Sequence, residues 1–466
     1  MAADRFDVVV IGSGPGGYVG AIRGAQLGMK VAVVEADRAG GVCLNWGCIP
    51  SKALLTGAEL VETLRQKGET FGVRAGNLEL DYGKVVDHSR ACADRLRKGV
   101  EGLLKKNQIE FIAGRGRLSG KTTVEVEGDA PRTLEAAHVM LATGSGELVP
   151  KGLEVDGESV LTSREALESK RVPEKLVIIG AGAVGVEFAY VYANYGSKVT
   201  ILEMADQMLP GADADVAKAL QREFRRKKID VQLGTRFERV KQANGGVRID
   251  VTRGEESAEV DADQVLVAIG RSPHSAGLGL EELGIELDRR GFVPVDGKLR
   301  TSVPSVLAIG DLAGPPLLAH KASEEGVAAM EYLAEVKRPP LDHFKIPGCI
   351  YCQPQVAWIG RTEAQAREAF GDDVRVGKFP FTASGKAIAT GHTAGFVKII
   401  AEPRYNEIVG AHVVGHGATE LVAEMALAMT LESTTAEVAA TSHAHPTLSE
   451  AILEAALDAE GRVINF

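Results

Sequence analysis

Two cysteines stand five residues apart in Gly40-Gly-Val-Cys43-Leu-Asn-Trp46-Gly47-Cys48-Ile-Pro50-Ser-Lys52, ahead of a helical pattern from Ala53 to Gln66. Thiols this close can form a redox pair, in which a thiolate attacks disulfide sulfur through a mixed-disulfide intermediate. In an ideal helix, positions five apart rise about 7.5 Å, beyond the roughly 4.4 to 6.8 Å between the Cα atoms of a disulfide. Pairing of Cys43 with Cys48 therefore requires a distorted turn, which Gly47 eases. Unpaired N–H groups near a helix start would favour the thiolate. Two cysteines at this spacing can equally be inert buried thiols, since no metal-site partner pair accompanies them.

Acid–base chemistry has a candidate near the C-terminus, in Ser442-His443-Ala-His445-Pro446-Thr-Leu-Ser-Glu450. Pro446 suits the first position of a helix, which places His445 at its entry and Glu450 about a turn further in. A carboxylate beside an imidazole orients the ring and stabilises its protonated form, as a base that accepts a thiol proton requires. A histidine capping an exposed helix end is the alternative, and His443 competes for the role. Cys349-Ile-Tyr-Cys352 is a second close pair. Read as a strand, it directs residues three apart to opposite faces, against redox pairing. Cys92, on a polar helical stretch, reads as structural.

The elements that position these groups include a repeat. Phe6 to Ile11 is an apolar strand, followed by Gly12-Ser-Gly14-Pro-Gly-Gly17, a small-residue helix, and a second strand from Val31 to Glu35. Leu176 to Ile179, Gly180-Ala-Gly182-Ala-Val-Gly185, a helix through Tyr195, and Val199 to Glu203 repeat the pattern. In each copy the acid, Glu35 or Glu203, follows the first glycine, Gly12 or Gly180, by 23 positions. Further apolar strands, Val139 to Gly144, Val265 to Gly270 and Val306 to Gly310, read as strands returning to parallel sheets. A stretch near Pro150, the turn at Arg271-Ser-Pro273 and Pro339-Pro340 mark boundaries. Beyond Lys345 short strands (Gly395 to Ile400, Ile408 to Val414) alternate with helices (Glu420 to Leu431, Leu448 to Leu457), an α+β pattern.

In such a loop the first glycine makes a tight turn, the second lets a pyrophosphate approach the backbone, and the third packs helix on strand. Phosphate charge then rests at the helix N-terminus. The acid accepts bonds from adenosine ribose hydroxyls, and its charge repels a 2'-phosphate. Glu203, with no arginine in Met204-Ala-Asp206, points to NAD over NADP. The alternative is that both loops are only tight turns of an α/β sheet.

The chain has 466 residues, and at about 150 residues per domain that suggests roughly three. Hydrophobic residues at 45% and charged residues at 25% suit a globular core that needs no structural metal. Fifty-three basic against 63 acidic residues give a net charge of -10, and no Lys/Arg block suits nucleic acid. No run of about 18 apolar residues suggests a membrane partner. Met1 precedes an apolar strand without a charged leader, so a cytoplasmic location is expected. Five cysteines, an odd number with Cys43 and Cys48 tightly spaced, fit a reducing compartment with one catalytic pair.

Together these motifs resemble the flavin disulfide reductases of the class I pyridine nucleotide-disulfide oxidoreductase family, and within it the branch that oxidises dihydrolipoamide. The likeness rests on the first Gly loop with Glu35, Gly40 to Lys52, Ala142-Thr143-Gly144, and the second Gly loop with Glu187 and Glu203. It continues through Thr301 to Asp311, Leu318-Ala319-His320-Lys-Ala-Ser-Glu-Glu-Gly326, and His445 to Glu450. The implied fold is α/β, with two Rossmann-like dinucleotide-binding domains and a C-terminal α+β dimerisation domain. Its division is an FAD-binding domain with the redox disulfide at 1–150, an NAD-binding domain at 151–272, a central domain completing the FAD site at 273–345, and an interface domain at 346–466.

The resemblance implies that FAD is held by Gly12, Gly14, Gly17, Glu35, Lys52, Gly116, Thr143, Gly144, Asp311, Leu318, Ala319 and His320. NAD falls to Gly180, Gly182, Gly185, Glu203 and Gly270. Cys43 would exchange with substrate, Cys48 would face the flavin, and Lys52 would pair with Glu187 near the nicotinamide site. His445 and Glu450 would act across a homodimer interface. The implied substrates are lipoyl domains of 2-oxo acid dehydrogenase complexes or the lipoyl protein of glycine cleavage; no metal is implied. Val42, Trp46 and His274 stand where the family usually has threonine, valine and asparagine, and Cys352 and Gln355 replace a frequent threonine and glutamate. A glutathione reductase-like enzyme is the alternative, disfavoured by Glu203 and by Ile49-Pro-Ser-Lys52. A C-terminal vicinal cysteine pair, as in mercuric reductase, is absent from Gly461-Arg-Val-Ile-Asn-Phe466. A flavin transhydrogenase without disulfide chemistry, or a non-catalytic structural subunit, conflicts with the Cys, His and Glu set. Calorimetric titration should show NADH binding more tightly than NADPH; the reverse order would overturn the reading of Glu203.

Overall fold

The structure, a computed structural model, describes residues 4–74, 76–243 and 245–466; Met1 lies outside them. It forms two compact units, each assembled from three chain segments. One unit runs up to Ala53 and adds Lys84–Leu148 and Gly270–His343; the other comprises Leu54–Gly83, Val149–Ile269 and Phe344–Phe466.

In the first unit, β1 (Asp4–Ile11) pairs in parallel with β2 (Val31–Glu35) on one side and with Arg132–Leu141 on the other. Val306–Ala308 adds a further parallel strand against Arg132–Leu141. Val8 to Ile11 and Val31 to Val34 are buried throughout, as strands covered on both faces must be. Helix α1 (Pro15–Gln26) connects β1 to β2 and carries Gly16, Gly17, Gly20 and Gly24. Each interior glycine costs a helix about 1 kcal/mol relative to alanine, so tertiary packing must offset that loss.

It does so against the helix Ala319–Leu333. A Cβ on Gly16 would lie 2.8 Å from the Ala322 carbonyl oxygen, and one on Gly326 would lie 2.3 Å from that of Gly16. Gly20 meets Gly326 and Gly24 meets Met330 in the same way. Contacts advancing in step, 16 with 322, 20 with 326 and 24 with 330, make the helices parallel. Their N-termini, each with positive partial charge, therefore open toward the same end.

The second unit contains a parallel sheet in the order Asp230–Gln232, Lys198–Leu202, Lys175–Ile179, Gln264–Val267, Val160–Leu161. The C-terminal segment forms a five-stranded antiparallel sheet against which Ala418–Thr430 and Glu450–Ala459 pack, the expected α+β pattern. The strand expected from Gly395 is Phe396–Ala401, and the helix expected from Glu420 begins at Ala418, shifts of one or two residues. Lys398, 2% exposed, bonds Asp213 at 2.9 Å, Asp215 at 3.1 Å and Glu363 at 2.7 Å. Burial alone would lower its pKa, but the Glu363 and Asp213 carboxylates hold it above the ordinary lysine value.

The expectation for the C-terminal helix is corrected. No helix begins at Pro446: the last helix starts at Glu450 with Ser449 as its N-cap residue. The Thr447 hydroxyl donates to the Ala444 carbonyl and the Thr447 N–H donates to the Glu450 carboxylate. These local bonds offer the backbone an alternative to the helical ladder.

Gly326→Ala should lower stability by about 1–3 kcal/mol through overpacking against backbone, read as a drop in thermal midpoint. Gly99→Ala, on the exposed face of Tyr82–Lys106 with nothing within 4 Å of its Cβ, should raise stability by about 0.5–1 kcal/mol.

Candidate active site

The two Gly loops fold alike. Gly12 and Gly180 adopt φ of +103° and +106°, and a Cβ on either would lie 2.4 Å from a carbonyl oxygen, of Ala142 or Ala268. Gly17 and Gly185 pack their Cα faces onto those first glycines, where a Cβ would lie 1.9 Å from the Gly12 or Gly180 oxygen. Gly14 and Gly182 cap their helices, and a Cβ on either would meet nothing within 4 Å. Turn, packing and open approach thus fall to the first, third and second glycines. The cradle fits a pyrophosphate seated on helix N–H groups.

Glu35 Oε2 accepts the Ser13 N–H at 2.8 Å and the Ser13 hydroxyl at 2.7 Å, while Oε1 accepts the Asp37 N–H at 2.8 Å. Glu203 likewise accepts from the N–H groups of Ala181 at 2.7 Å and Ala205 at 2.8 Å. Each carboxylate is thereby fixed at the mouth of its loop, with acceptor capacity left for ribose hydroxyls. Gly116 packs against Ile11 and Val34, beside the ends of β1 and β2.

Cys43 and Cys48 form a disulfide with Cα atoms 4.7 Å apart. The expected distortion is a break between two helices, α2 (Gly41–Trp46) and α3 (Cys48–Gln66), at Gly47, whose φ is -153° and ψ -109°. The helix expected from Ala53 thus begins at Cys48. Gly40 and Gly41, both at positive φ, turn the chain into α2. Lys52 follows Cys48 by about one helical turn.

Asp311 lies on the short 3-10 helix Gly310–Leu312. It accepts the Ser145 hydroxyl, whose oxygen also receives the Arg271 Nε–H at 2.7 Å. The expected turn at Arg271-Ser-Pro273 is instead a strand, paired antiparallel with Ser145–Glu147 and held there by the Arg271 guanidinium. His274 donates its N–H to the Gly144 carbonyl and accepts the Thr143 hydroxyl at its own carbonyl, at 2.8 Å, fixing the Thr143–Gly144 corner. Leu318 caps the helix on which Ala319 and exposed His320 form the first turn. Gly270 stands two residues past Ala268, in the first unit, at φ +132° with open space around it.

A pair without an assigned role in the sequence supports Asp311. Lys321 and Glu325, each 1% exposed, are 3.1 Å apart. Lys321 donates to the carbonyls of Gly310 at 2.9 Å and Gly314 at 2.7 Å, and Glu325 accepts the Gly310 N–H at 2.7 Å. Both backbone groups of the residue before Asp311 are therefore held. Only the i, i+4 spacing of lysine and glutamate could have pointed to the pair.

In the second unit Glu187, on Ala183–Tyr195, is buried and accepts the Tyr351 N–H at 3.0 Å. His445 Nδ1 lies 2.8 Å from Glu450 Oε1, and its side chain is 79% exposed. Partial burial would raise the Glu450 pKa, but bonds from the Thr447 N–H and from His445 hold it below the usual carboxylate range. With Nδ1 donating to that carboxylate, Nε2 of a neutral ring is an outward-facing acceptor. His443 has both nitrogens engaged, Nδ1 by the Thr441 carbonyl at 2.9 Å and Nε2 by Glu424 at 2.7 Å, and its side chain is 4% exposed. The structure thus separates two histidines that the sequence left in competition. Cys349 lies on Gly348–Ile350, but Cys352 is past the strand end and buried; no disulfide joins them. Gln355 accepts from the hydroxyl and N–H of Thr419. Cys92 lies 3.6 Å from His88 on its helix. The Gly12 loop, Glu35, the disulfide, Lys52 and Asp311 share one unit, whereas the Gly180 loop, Glu187, His445 and Glu450 belong to the other.

Residues 6–326 match the family described as pyridine nucleotide-disulphide oxidoreductase, and residues 346–456 match its dimerisation domain. A dihydrolipoyl dehydrogenase of Chlorobaculum tepidum is 46% identical over 460 residues, 98% of this chain and 97% of the relative. One of Bacillus subtilis is 41% identical over the full length of both chains. Among solved structures, LpdA of Mycobacterium tuberculosis superposes with a TM-score of 0.90 at 28% identity, covering 97% of this chain and 99% of that one. The HOCl-induced flavoprotein disulfide reductase RclA of Escherichia coli gives 0.85 at 27% identity, with the same coverage. Sequence and structure agree: the chain belongs to the pyridine nucleotide-disulphide oxidoreductase family and carries its dimerisation domain.

Proposed function

We propose that this protein is a dihydrolipoyl dehydrogenase, which reoxidises dihydrolipoamide with FAD and NAD as cofactors. The observation that carries the reading is the closed Cys43–Cys48 disulfide, held in the same unit as a dinucleotide loop, in a chain similar over its whole length to enzymes of that name. The 41–46% identity to these relatives exceeds the 27% to RclA, which favours dihydrolipoamide over other dithiols.

In this reading Gly12, Gly14, Gly17, Glu35, Gly116, Thr143, Gly144, Asp311, Leu318, Ala319, His320 and Lys52 hold FAD. Gly180, Gly182, Gly185, Glu203 and Gly270 take NAD. When bound, FAD supplies the two-electron chemistry that links the thiols to NAD. Cys43 receives the attack of a dihydrolipoamide thiolate, the Cys43–Cys48 bond breaks, and the second substrate thiol displaces Cys43 as lipoamide closes. His445 accepts a thiol proton at Nε2, with Glu450 fixing the tautomer and stabilising the imidazolium. The parallel helix N-termini favour negative charge near the cofactor.

The matched dimerisation domain supports a homodimer in which His445 and Glu450 of each chain serve the partner's cysteines. The finer division at 150, 272 and 345 is the domain scheme this reading adopts. Its substrates are lipoyl domains of 2-oxo acid dehydrogenase complexes or of glycine cleavage, and its setting the cytoplasm, in keeping with the cysteine usage. No helix among the described residues is long and apolar enough to cross a membrane.

Anaerobic addition of dihydrolipoamide to the purified yellow protein should produce a long-wavelength absorbance band that NAD then abolishes as NADH appears. A spectrum unmoved by dihydrolipoamide but bleached by NADH would sink the substrate assignment while keeping the cofactors. His445→Ala should lower kcat about 10²–10⁴-fold, with flavin content unchanged.

A further inference from the structure

Trp46 lies between the cysteines, at the end of α2, and the structure gives that residue a place. Helix α2 has six residues, too few to be stable on its own, so contacts at its two ends must hold Cys43. At the start, the backbone of Gly41 presses on the first Gly loop: a Cβ there would lie 2.7 Å from the Gly14 Cα. The Gly40 N–H donates to the Ser13 carbonyl at 3.0 Å. At the end, the Trp46 indole N–H donates to the Asp37 carboxylate at 3.1 Å. The ring, 6% exposed, has two guanidinium groups over it, Arg38 at 5.0 Å and Arg90 at 5.3 Å from its centroid. Arg90 also donates to the Asn45 carbonyl at 2.8 Å. The Asp37 N–H in turn donates to Glu35. Both ends of α2 are therefore fastened to the features that would seat the adenosine side of a dinucleotide, Gly14 and Glu35.

We propose that Trp46 is a positioning residue that couples the state of the Cys43–Cys48 bond to retention of FAD in the first Gly loop; this rests on the cofactor reading above. With the disulfide closed, α2 is fixed to α3 at Cys48 and, through Trp46 and Asp37, braces Glu35. Reduction, in which a dithiol gives up two electrons and two protons to the pair, frees the α2 end, and the brace slackens. By linkage, what loosens FAD when the bond opens also makes bound FAD favour the closed bond. A hydrogen bond to a charged acceptor with two cation–π contacts has the strength that a modest coupling needs.

The test is a double-mutant cycle on the purified holoenzyme, with FAD release followed by its fluorescence. Cys48→Ser supplies a permanently open form. In the Trp46 background, Cys48→Ser should speed release about tenfold. In the Trp46→Phe background, which keeps a ring beside the guanidiniums but removes the N–H, the ratio should fall to about twofold or less. Asp37→Asn weakens the same bond without touching the indole and should act likewise, which keeps the test open should Trp46→Phe fold poorly. An undiminished ratio in Trp46→Phe and Asp37→Asn would overturn the proposal, since a merely structural Trp46 would speed release equally in both cysteine backgrounds. So would a ratio near one with Trp46 in place. A purified protein without flavin would overturn the cofactor reading itself, and the coupling with it.

Discussion

The seating of Gly17 on the Gly12 carbonyl, repeated by Gly185 on Gly180, is the constraint on which the rest of the site depends. A single methyl group at either third glycine would lie 1.9 Å from backbone oxygen, so only glycine lets the helix start directly against the strand end. That contact points the first turn of each helix at the space beyond the sheet, where its N–H groups and dipole can meet phosphate. It also brings the closing acid of the next strand within reach of the loop, which is why Glu35 and Glu203 make matching bonds to Ser13 and Ala181. In the first unit the consequence runs further. The parallel 319–333 helix follows α1 through glycine contacts, and its N-terminus and the Asp311 loop come to the same end of the sheet.

What the sequence made legible was local and repeated. Two loops with glycines and acids in register, apolar strands of the parallel sheets, and a cysteine spacing incompatible with an undistorted helix all follow from short-range geometry. The break at Gly47 is the distortion that spacing required. The misreadings have physical causes of their own. Pro446 is acceptable at a helix start, but the neighbouring Thr447 hydroxyl and the Glu450 carboxylate satisfy the backbone without a helix. Arg271-Ser-Pro273 looks like punctuation until its guanidinium finds Ser145, 126 positions away.

Long-range charge pairing was beyond reach for a different reason. In sequence Lys321 and Glu325 are an ordinary i, i+4 pair and Lys398 is a single lysine among apolar residues. Each is buried because its partners arrive from elsewhere in the chain: the Gly310 and Gly314 backbone for the first pair, Asp213, Asp215 and Glu363 for Lys398. Removing one partner of such a set leaves an uncompensated buried charge, which costs far more than the assembled set contributes. Such pairs specify where a loop sits more than they add to stability, and the Gly310 clamp places its neighbour Asp311.

The two copies of the dinucleotide unit differ most just after their acids, and that difference bears on which ligand each retains. In both, a later N–H returns to the second loop residue: Gly40 to Ser13, and Leu209 to Ala181, each at 3.0 Å. After Gly40 the chain turns into α2, presses Gly41 onto Gly14 and delivers Cys43, so the first loop is joined to a covalent crosslink a few residues on. After Glu203 the chain exposes Met204 at 72%, and among the described residues no disulfide follows the second loop. A loop joined to the protein's own redox turn suits the cofactor that exchanges electrons with the cysteines. The second loop, with no such crosslink after it, suits the cofactor that does not meet the cysteines, and this asymmetry favours FAD for the first copy and NAD for the second.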